Sequence, residues 1–286
     1  MPREVRRIGV VGLGTMGAGI AQVCAQAGLD TVASDVSAEL AARGLDRIEH
    51  YLARGVEKSR LTTDERDAAL ARLQTTTVLA DLASCDVVVE AIVEDLEAKQ
   101  ELFRGLDAIV ADDAVLATNT SALSVTAIAR STSRPERVVG MHFFNPAPVL
   151  PLVEVVRTER SAAEAVDTAF ALAERLGKTP IRCDDTPGFV VNRILIPLLN
   201  DCVRVLDEAG VTPEDLDTAM TNGVRWPIGP CALIDLIGVD VHVHASEALH
   251  AAIGEERMAA PERLVRMRNE GRLGRKSGRG FFVYDD

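Results

Sequence analysis

Ile8-Gly9-Val10-Val11-Gly12-Leu13-Gly14-Thr15-Met16-Gly17 decides how the first half of this chain folds. An apolar, β-branched run stops abruptly at Gly12, and a helical pattern follows as far as Gly28. That order reads as a buried strand, a tight turn and a helix. The uncharged stretch Ile8 to Leu29 would have the length of a membrane span. Gly9, Gly12, Gly14, Gly17, Gly19 and Gly28, with Gln22 and Gln26, favour strand, turn and helix instead. No other stretch competes as a span or signal peptide.

Each glycine in the GxGxxG pattern has a physical task. Gly12 permits the turn, Gly14 lets a pyrophosphate approach the backbone, and Gly17 lets the helix pack on the strand. The first turn of that helix, with Thr15 and Met16, offers unpaired N–H groups and the positive end of the helix dipole to a diphosphate. A second strand ends near Asp35, eighteen residues past Gly17. Its carboxylate would accept hydrogen bonds from ribose hydroxyls and repel a 2′-phosphate. No arginine follows in Val36-Ser37-Ala38, so NAD is expected rather than NADP.

Outward from this motif, short apolar runs alternate with helical patterns, as in a parallel sheet flanked by helices. The expected strands are Ile8–Val11, Thr31–Ser34, Val87–Ala91, Val115–Thr118 and Val138–His142, then Leu152–Val156 and Pro180–Cys183 around a helix near 162–176. A charged insertion, Ala38 to Leu73, places Leu45, Ile48 and Leu52 at helical spacing and is read as a helical hairpin standing off the sheet. From Thr186 only helices are expected, the first with Pro187 in its opening turn, running through Val190–Leu206 to a stop at Gly210. Thr212-Pro213-Glu214-Asp215 caps the next. The fold class is therefore α/β: a Rossmann-type doubly wound, mostly parallel sheet with a helical-hairpin insertion, followed by a smaller all-helical C-terminal domain. The expected domains are residues 1–184 and 185–286. Leu195, Ile196, Leu198, Leu199, Leu233, Ile234, Leu236 and Ile237 look exposed, and a second subunit would cover them.

The chain has 286 residues, 47% of them hydrophobic, which is enough for a large core. A formal charge of −12 argues against nucleic-acid or anionic-membrane partners. An anionic substrate must then meet a local cationic patch. Five scattered cysteines without CxxC, and no metal spacing among five histidines, suit a reduced cytoplasmic setting without a metal.

Glu154 lies inside Leu152-Val153-Glu154-Val155-Val156, where a buried charge is costly unless paired. His142 is the histidine on a comparable strand, so a His–carboxylate pair is one solution. The other is an edge strand with Glu154 in water and His142 in the core.

The chain resembles the L-3-hydroxyacyl-CoA dehydrogenase family over nearly its whole length. The motifs are Ile8–Ala21, Val89–Lys99 (VEAIVEDLEAK), Thr118–Leu123 (TNTSAL), Gly140–Pro148 (GMHFFNPAP), Asp185–Arg193 (DTPGFVVNR), Pro227–Asp240 and Gly274–Phe281. The resemblance implies that His142 is the general base, oriented by Glu154, and that Ser121 and Asn192 bind the substrate oxygen. It implies cofactor contacts for Glu94, Lys99, Asn145 and Lys276, the two lysines being otherwise ordinary solvated ones. It also implies a coenzyme A contact for Lys58, beside Arg54 and Arg60, while the apolar helical surface is what points to a homodimer through the helical domain. Two departures, Tyr51 in place of a small hydroxyl residue and Pro151 where relatives often carry Lys, bear on acyl and carrier specificity. The competing readings are a 6-phosphogluconate-type dehydrogenase, the same chemistry on an acyl carrier protein or a free sugar acid, and a non-catalytic NAD-binding protein.

Overall fold

Apolar, β-branched runs too short for helices build one eight-stranded sheet of order β3-β2-β1-β4-β5-β6-β7-β8 in the computed structural model, which describes residues 2–284. The strands are β1 (Arg7–Val11), β2 (Asp30–Ser34), β3 (Leu73–Thr76), β4 (Val87–Glu90), β5 (Val115–Thr118), β6 (Val138–Phe143), β7 (Leu152–Arg157) and β8 (Thr179–Asp184). Neighbours from β3 to β6 pair in parallel; β7 runs antiparallel to β6, and β8 parallel to β7. β4 and β5 are buried throughout, which is why they read as unbroken apolar runs rather than alternating ones. β1 sits between β2 and β4, so the chain's direction of winding reverses there. A ligand crevice is expected outside the carboxyl ends of β1 and β4.

Helices α1 (Thr15–Gln26), α2 (Ala38–Glu57), α3 (Thr63–Ala71), α4 (Leu96–Asp107), α5 (Val125–Ala129) and α6 (Ala163–Arg175) cover this sheet. Four starts are fixed by side chains. Ser37 caps α2, Thr62 and Glu65 form a capping box on α3, Asp95 caps α4, and Ser124 caps α5. The expected hairpin is α2 and α3, and it serves as the crossover from β2 to β3. Ile48 and Leu52 are fully buried in the main core, so its inner face packs on the body of the unit rather than standing clear. β3 itself was not expected. It is an edge strand pairing with β2, and Leu73-Gln74-Thr75-Thr76 lacks the apolar signal because much of it faces water.

The chain divides into two compact units, one ending at Phe189 and one beginning at Val190. Residues 185–189 stay with the sheet. Asp185 accepts hydrogen bonds from Ser124, Val125 and Thr126, and Phe189 is buried in the core on that face. The second unit comprises α7 (Val191–Ala209), α8 (Pro213–Thr218), α9 (Pro230–Ile237), α10 (Val239–Ile253) and α11 (Glu262–Asn269). Pro187 lies outside α7, contrary to expectation. Gly188 and Phe189 adopt left-handed φ values of 73° and 50°, which postpones the helix to Val191. α7 does stop at Gly210, and Thr212 does cap α8.

Most of the apolar residues expected at the surface are inside this unit. Leu199 and Ile234 are inaccessible, and Leu195, Leu233 and Ile237 pack against the same cluster. Leu236 alone among them is exposed. No described helix is long and apolar enough to cross a membrane.

The helical unit also encloses a polar cluster of Asn200, His242 and Ser246, with His242 Nε2 2.8 Å from Asn200 Oδ1. Burial lowers the His242 pKa to about 4 from an ordinary 6.5. As pH falls, the unfolded chain therefore takes this proton first. The stabilising difference is present above pH 6.5 and is lost as pH drops toward 4. Between those limits the protein should lose roughly 3 kcal/mol that His242→Gln does not lose, seen in denaturant titrations at each pH. Parallel pH curves for the two proteins would refute this.

Candidate active site

The glycine turn is sterically determined. Gly12 has φ +89°, its N–H donates to Ser34 O at 2.8 Å, and a Cβ there would stand 2.7 Å from Ala91 O. A Cβ on Gly17 would stand 1.6 Å from Gly12 O, so the first turn of α1 can lie against the strand end only with glycine at that position. A Cβ on Gly14 would meet nothing within 4 Å, leaving that backbone open to a ligand. Gly14 is also the N-cap of α1 and supplies no side-chain cap, and no acidic residue stands in the first turn. The N–H groups around Thr15, Met16 and Gly17 thus have neither a side-chain cap nor an acidic side chain of the first turn to offset them.

Asp35 is tied into the same turn. Its carboxylate accepts from Leu13 N and from Val36 N, each at 2.7 Å. Each oxygen keeps a further lone pair for a hydroxyl donor. Asp35→Ala should reduce the preference for NAD over NADP in kcat/KM by about tenfold or more, because a like-charge contact costs several kcal/mol. An unchanged preference would remove Asp35 from cofactor selection.

His142 and Glu154 are register partners across the antiparallel pair β6 and β7, so their side chains rise side by side from one face of the sheet. Nδ1 of His142 lies 2.7 Å from Glu154 Oε2, and Glu154 is fully buried. Nε2 lies 3.2 Å from Ser121 Oγ, on the loop that follows β5. The rings of Phe144 and Phe189 pack on the imidazole, with centroids 4.5 and 5.6 Å away. The alternative of a water-facing Glu154 is therefore excluded. The imidazole has one nitrogen on a carboxylate and the other on a hydroxyl at an accessible rim.

Glu94 holds that rim. Its Oε1 accepts from Thr120 Oγ1 at 2.6 Å, Ser121 N at 2.8 Å and Ala122 N at 3.1 Å. Burial alone would raise its carboxyl, but the Lys99 charge and these bonds hold it below the ordinary value. Lys99 is not a solvated lysine. Its side chain is wholly buried, with Nζ 2.5 Å from Glu90 Oε1 and 3.4 Å from Glu94 Oε2. A lysine on a charged helix reads as solvated because its buried partner lies in a different element.

Asn145 is exposed on the loop after β6, and it lines a cavity of about 570 Å³ together with Thr15, Gln22, Tyr51, Arg54 and Lys58. Arg47 and Arg60 border the same cavity, which concentrates four cations in an acidic protein. The remaining two candidates belong to the helical unit. Asn192 stands in the first turn of α7, half buried, and Lys276 pairs with Asp240 at 2.6 Å. Among the described residues no group of His, Cys, Asp or Glu could hold a metal ion.

Residues 7–186 match the family profile described as 3-hydroxyacyl-CoA dehydrogenase, NAD binding domain, and residues 188–284 match the C-terminal domain of the same family. The chain belongs to the 3-hydroxyacyl-CoA dehydrogenase family. Its sheet unit is the NAD-binding domain of that family, and NAD is the cofactor. A probable 3-hydroxybutyryl-CoA dehydrogenase of Deinococcus radiodurans is 44% identical over 97% of this chain and 100% of its own length. The crystal structure of FadB2 from M. tuberculosis superposes with a TM-score of 0.97 at 43% identity, covering 99% of this chain and 100% of that one. That of (S)-3-hydroxybutyryl-CoA dehydrogenase PaaH1 from Ralstonia eutropha does so with a TM-score of 0.94 at 40% identity and the same coverage.

Three side chains in this family member escaped the sequence reading. Glu90 ends β4 and is fully buried; its signal was present, a charge closing the apolar run Val87-Val88-Val89. Asn119 accepts from Phe143 N at 2.9 Å and so ties the Ser121 loop to the strand bearing His142. Lys178 donates to Ala147 O and Leu150 O, pinning the loop between β6 and β7; a lysine after a helix gives no such hint.

Proposed function

We propose that this chain interconverts L-3-hydroxyacyl-CoA and 3-oxoacyl-CoA thioesters with NAD. Gly12, Gly14, Thr15, Met16, Gly17 and Asp35 would hold NAD, which would supply the acceptor for the hydride on the carbinol carbon. Nε2 of His142 takes the hydroxyl proton as the C–H bond breaks, giving ketone, NADH and an imidazolium that then releases its proton to solvent. Glu154 fixes the tautomer with the free lone pair on Nε2 and stabilises the imidazolium. Ser121 Oγ donates to the substrate oxygen as charge develops on it. In the reverse direction the imidazolium is the acid.

The observation that carries this reading is the buried imidazole bridging Glu154 and Ser121 at 2.7 and 3.2 Å against two aromatic rings. The relatives named as 3-hydroxybutyryl-CoA dehydrogenases support a short acyl group. NADH consumption over a panel of 3-oxoacyl-CoA esters from acetoacetyl-CoA upward and a 3-oxoacyl ester of acyl carrier protein, with NADH formation from NAD and free sugar acids measured alongside, tests it. Turnover with coenzyme A esters is expected. Turnover confined to the other carriers would sink the reading.

The cationic rim formed by Arg54 and Lys58 would hold the phosphates of coenzyme A. Lys58→Ala should then raise KM for acetoacetyl-CoA about three- to tenfold with kcat unchanged, as expected when binding is lost equally from ground and transition states. An unaltered KM would assign Lys58 to solvent. A homodimer would cover Ile194, Val205 and Leu236, which the helical unit exposes. Five free cysteines suit a reduced, cytoplasmic compartment.

A further inference from the structure

We infer that Glu90 is a positioning residue for the reaction: through Lys99 and Glu94 it sets the loop that brings Ser121 to His142. Glu90 closes β4 at the switch point of the sheet and is inaccessible, so it can touch neither substrate nor cofactor. Both of its oxygens are engaged. Oε1 accepts from Lys99 Nζ at 2.5 Å and Ile92 N at 2.7 Å, and Oε2 accepts from Thr118 Oγ1 at 2.8 Å. Lys99 Nζ, wholly buried, has its other carboxylate contact in Glu94. Glu94 in turn holds Thr120, Ser121 and Ala122, and Ser121 Oγ meets His142 Nε2. A continuous chain of charge-assisted contacts thus runs from a closed interior pair to the accessible end of the imidazole.

A buried ion pair is a poor stabiliser, because desolvating two charges offsets most of their attraction. Apolar residues of similar size would serve a mere core as well. Here the pair does something a core residue cannot: it gives Glu94 a fixed cation to face, which orients the carboxylate toward three donors of the Ser121 loop. Without Lys99 held from below, Glu94 would turn toward water, and the loop would lose its acceptor.

The inference rests on the roles proposed for His142 and Ser121, and the experiment separates the two. In Glu90→Gln/Lys99→Met the pair is replaced by neutral residues of similar length, which leaves neither member behind as an unpaired interior charge while taking from Glu94 the cation it faces. The variant is expected to fold by circular dichroism and to lose about tenfold or more in kcat for acetoacetyl-CoA reduction. The decisive readout is a double-mutant cycle with Ser121→Ala, since residues acting through one another are non-additive. Ser121→Ala should cost about tenfold in the parent but less than about twofold in the Glu90→Gln/Lys99→Met background. Equal factors in the two backgrounds, or a parent-like kcat in the double variant, would overturn the inference. If that variant does not fold, Glu90→Asp keeps the charge but withdraws it from Lys99 by one methylene, and the same cycle is read on it. His142→Gln is the control. Retained turnover there fails the proposed function, whereas an inactive His142→Gln with additive Ser121→Ala effects fails the role of Glu90 alone.

Discussion

His142→Gln is expected to lower kcat for acetoacetyl-CoA reduction by about 10²- to 10⁴-fold while changing the Kd for NADH by less than about twofold. The reason is local. Nδ1 and Nε2 join the buried Glu154 carboxylate to the Ser121 hydroxyl, and a glutamine amide neither accepts nor releases a proton near neutral pH. The substitution is close in volume, so the packing of Phe144 and Phe189 should survive it. The groups expected to hold the dinucleotide, around Gly12, Gly14 and Asp35, hydrogen-bond among themselves and not with His142. Steady-state kinetics together with a fluorescence titration of NADH measure both quantities. Turnover within a few fold of the parent would assign the proton transfer elsewhere.

Glu154→Gln should cost kcat about 10²- to 10⁴-fold as well, although it touches neither substrate nor cofactor in the proposed mechanism. The amide is nearly isosteric, but it carries no charge to offset an imidazolium forming in a water-poor site, and it can present N–H where the carboxylate accepted. The tautomer with a free Nε2 lone pair is then no longer enforced. The two substitutions should be strongly non-additive. His142→Gln/Glu154→Gln is expected within about threefold of the worse single variant, since the carboxylate has no catalytic work once the imidazole is gone. Multiplicative losses would mean that the residues act independently, and the pair would cease to explain either effect.

The sequence showed most plainly what steric necessity imposes locally. The turn at Gly12, the close approach at Gly17 and the acidic end of β2 are dictated by backbone geometry within thirty residues, and all three stand where the motif put them. The pairing of His142 with Glu154 needed more. An apolar strand with one carboxylate demands a partner, yet nothing in the spacing of twelve residues reveals an antiparallel register that sets the two opposite each other. The resemblance to a family supplied what the pattern did not.

Where the signal depended on tertiary context, the reading failed. β3 carries three polar residues and one apolar, as its place at the edge allows, and edge strands lose the periodicity that marks central ones. Lys99 looked solvated because its burial depends on Glu90 in a neighbouring strand. Val87-Val88-Val89-Glu90 carries the same signal as the run around Glu154, a lone carboxylate joined to a buried apolar strand. In the helical unit, Leu199 and Ile234 looked exposed because amphipathic period alone does not say which helix covers which face.

The most direct measurement of the central claim is a crystal structure with NAD and acetoacetyl-CoA bound together. The 3-oxo oxygen is predicted to lie within hydrogen-bond reach, about 3 Å, of both His142 Nε2 and Ser121 Oγ, with the adjoining carbon facing the nicotinamide. A carbonyl turned away from the imidazole, or a nicotinamide ring on the far side of the sheet from it, would contradict the mechanism.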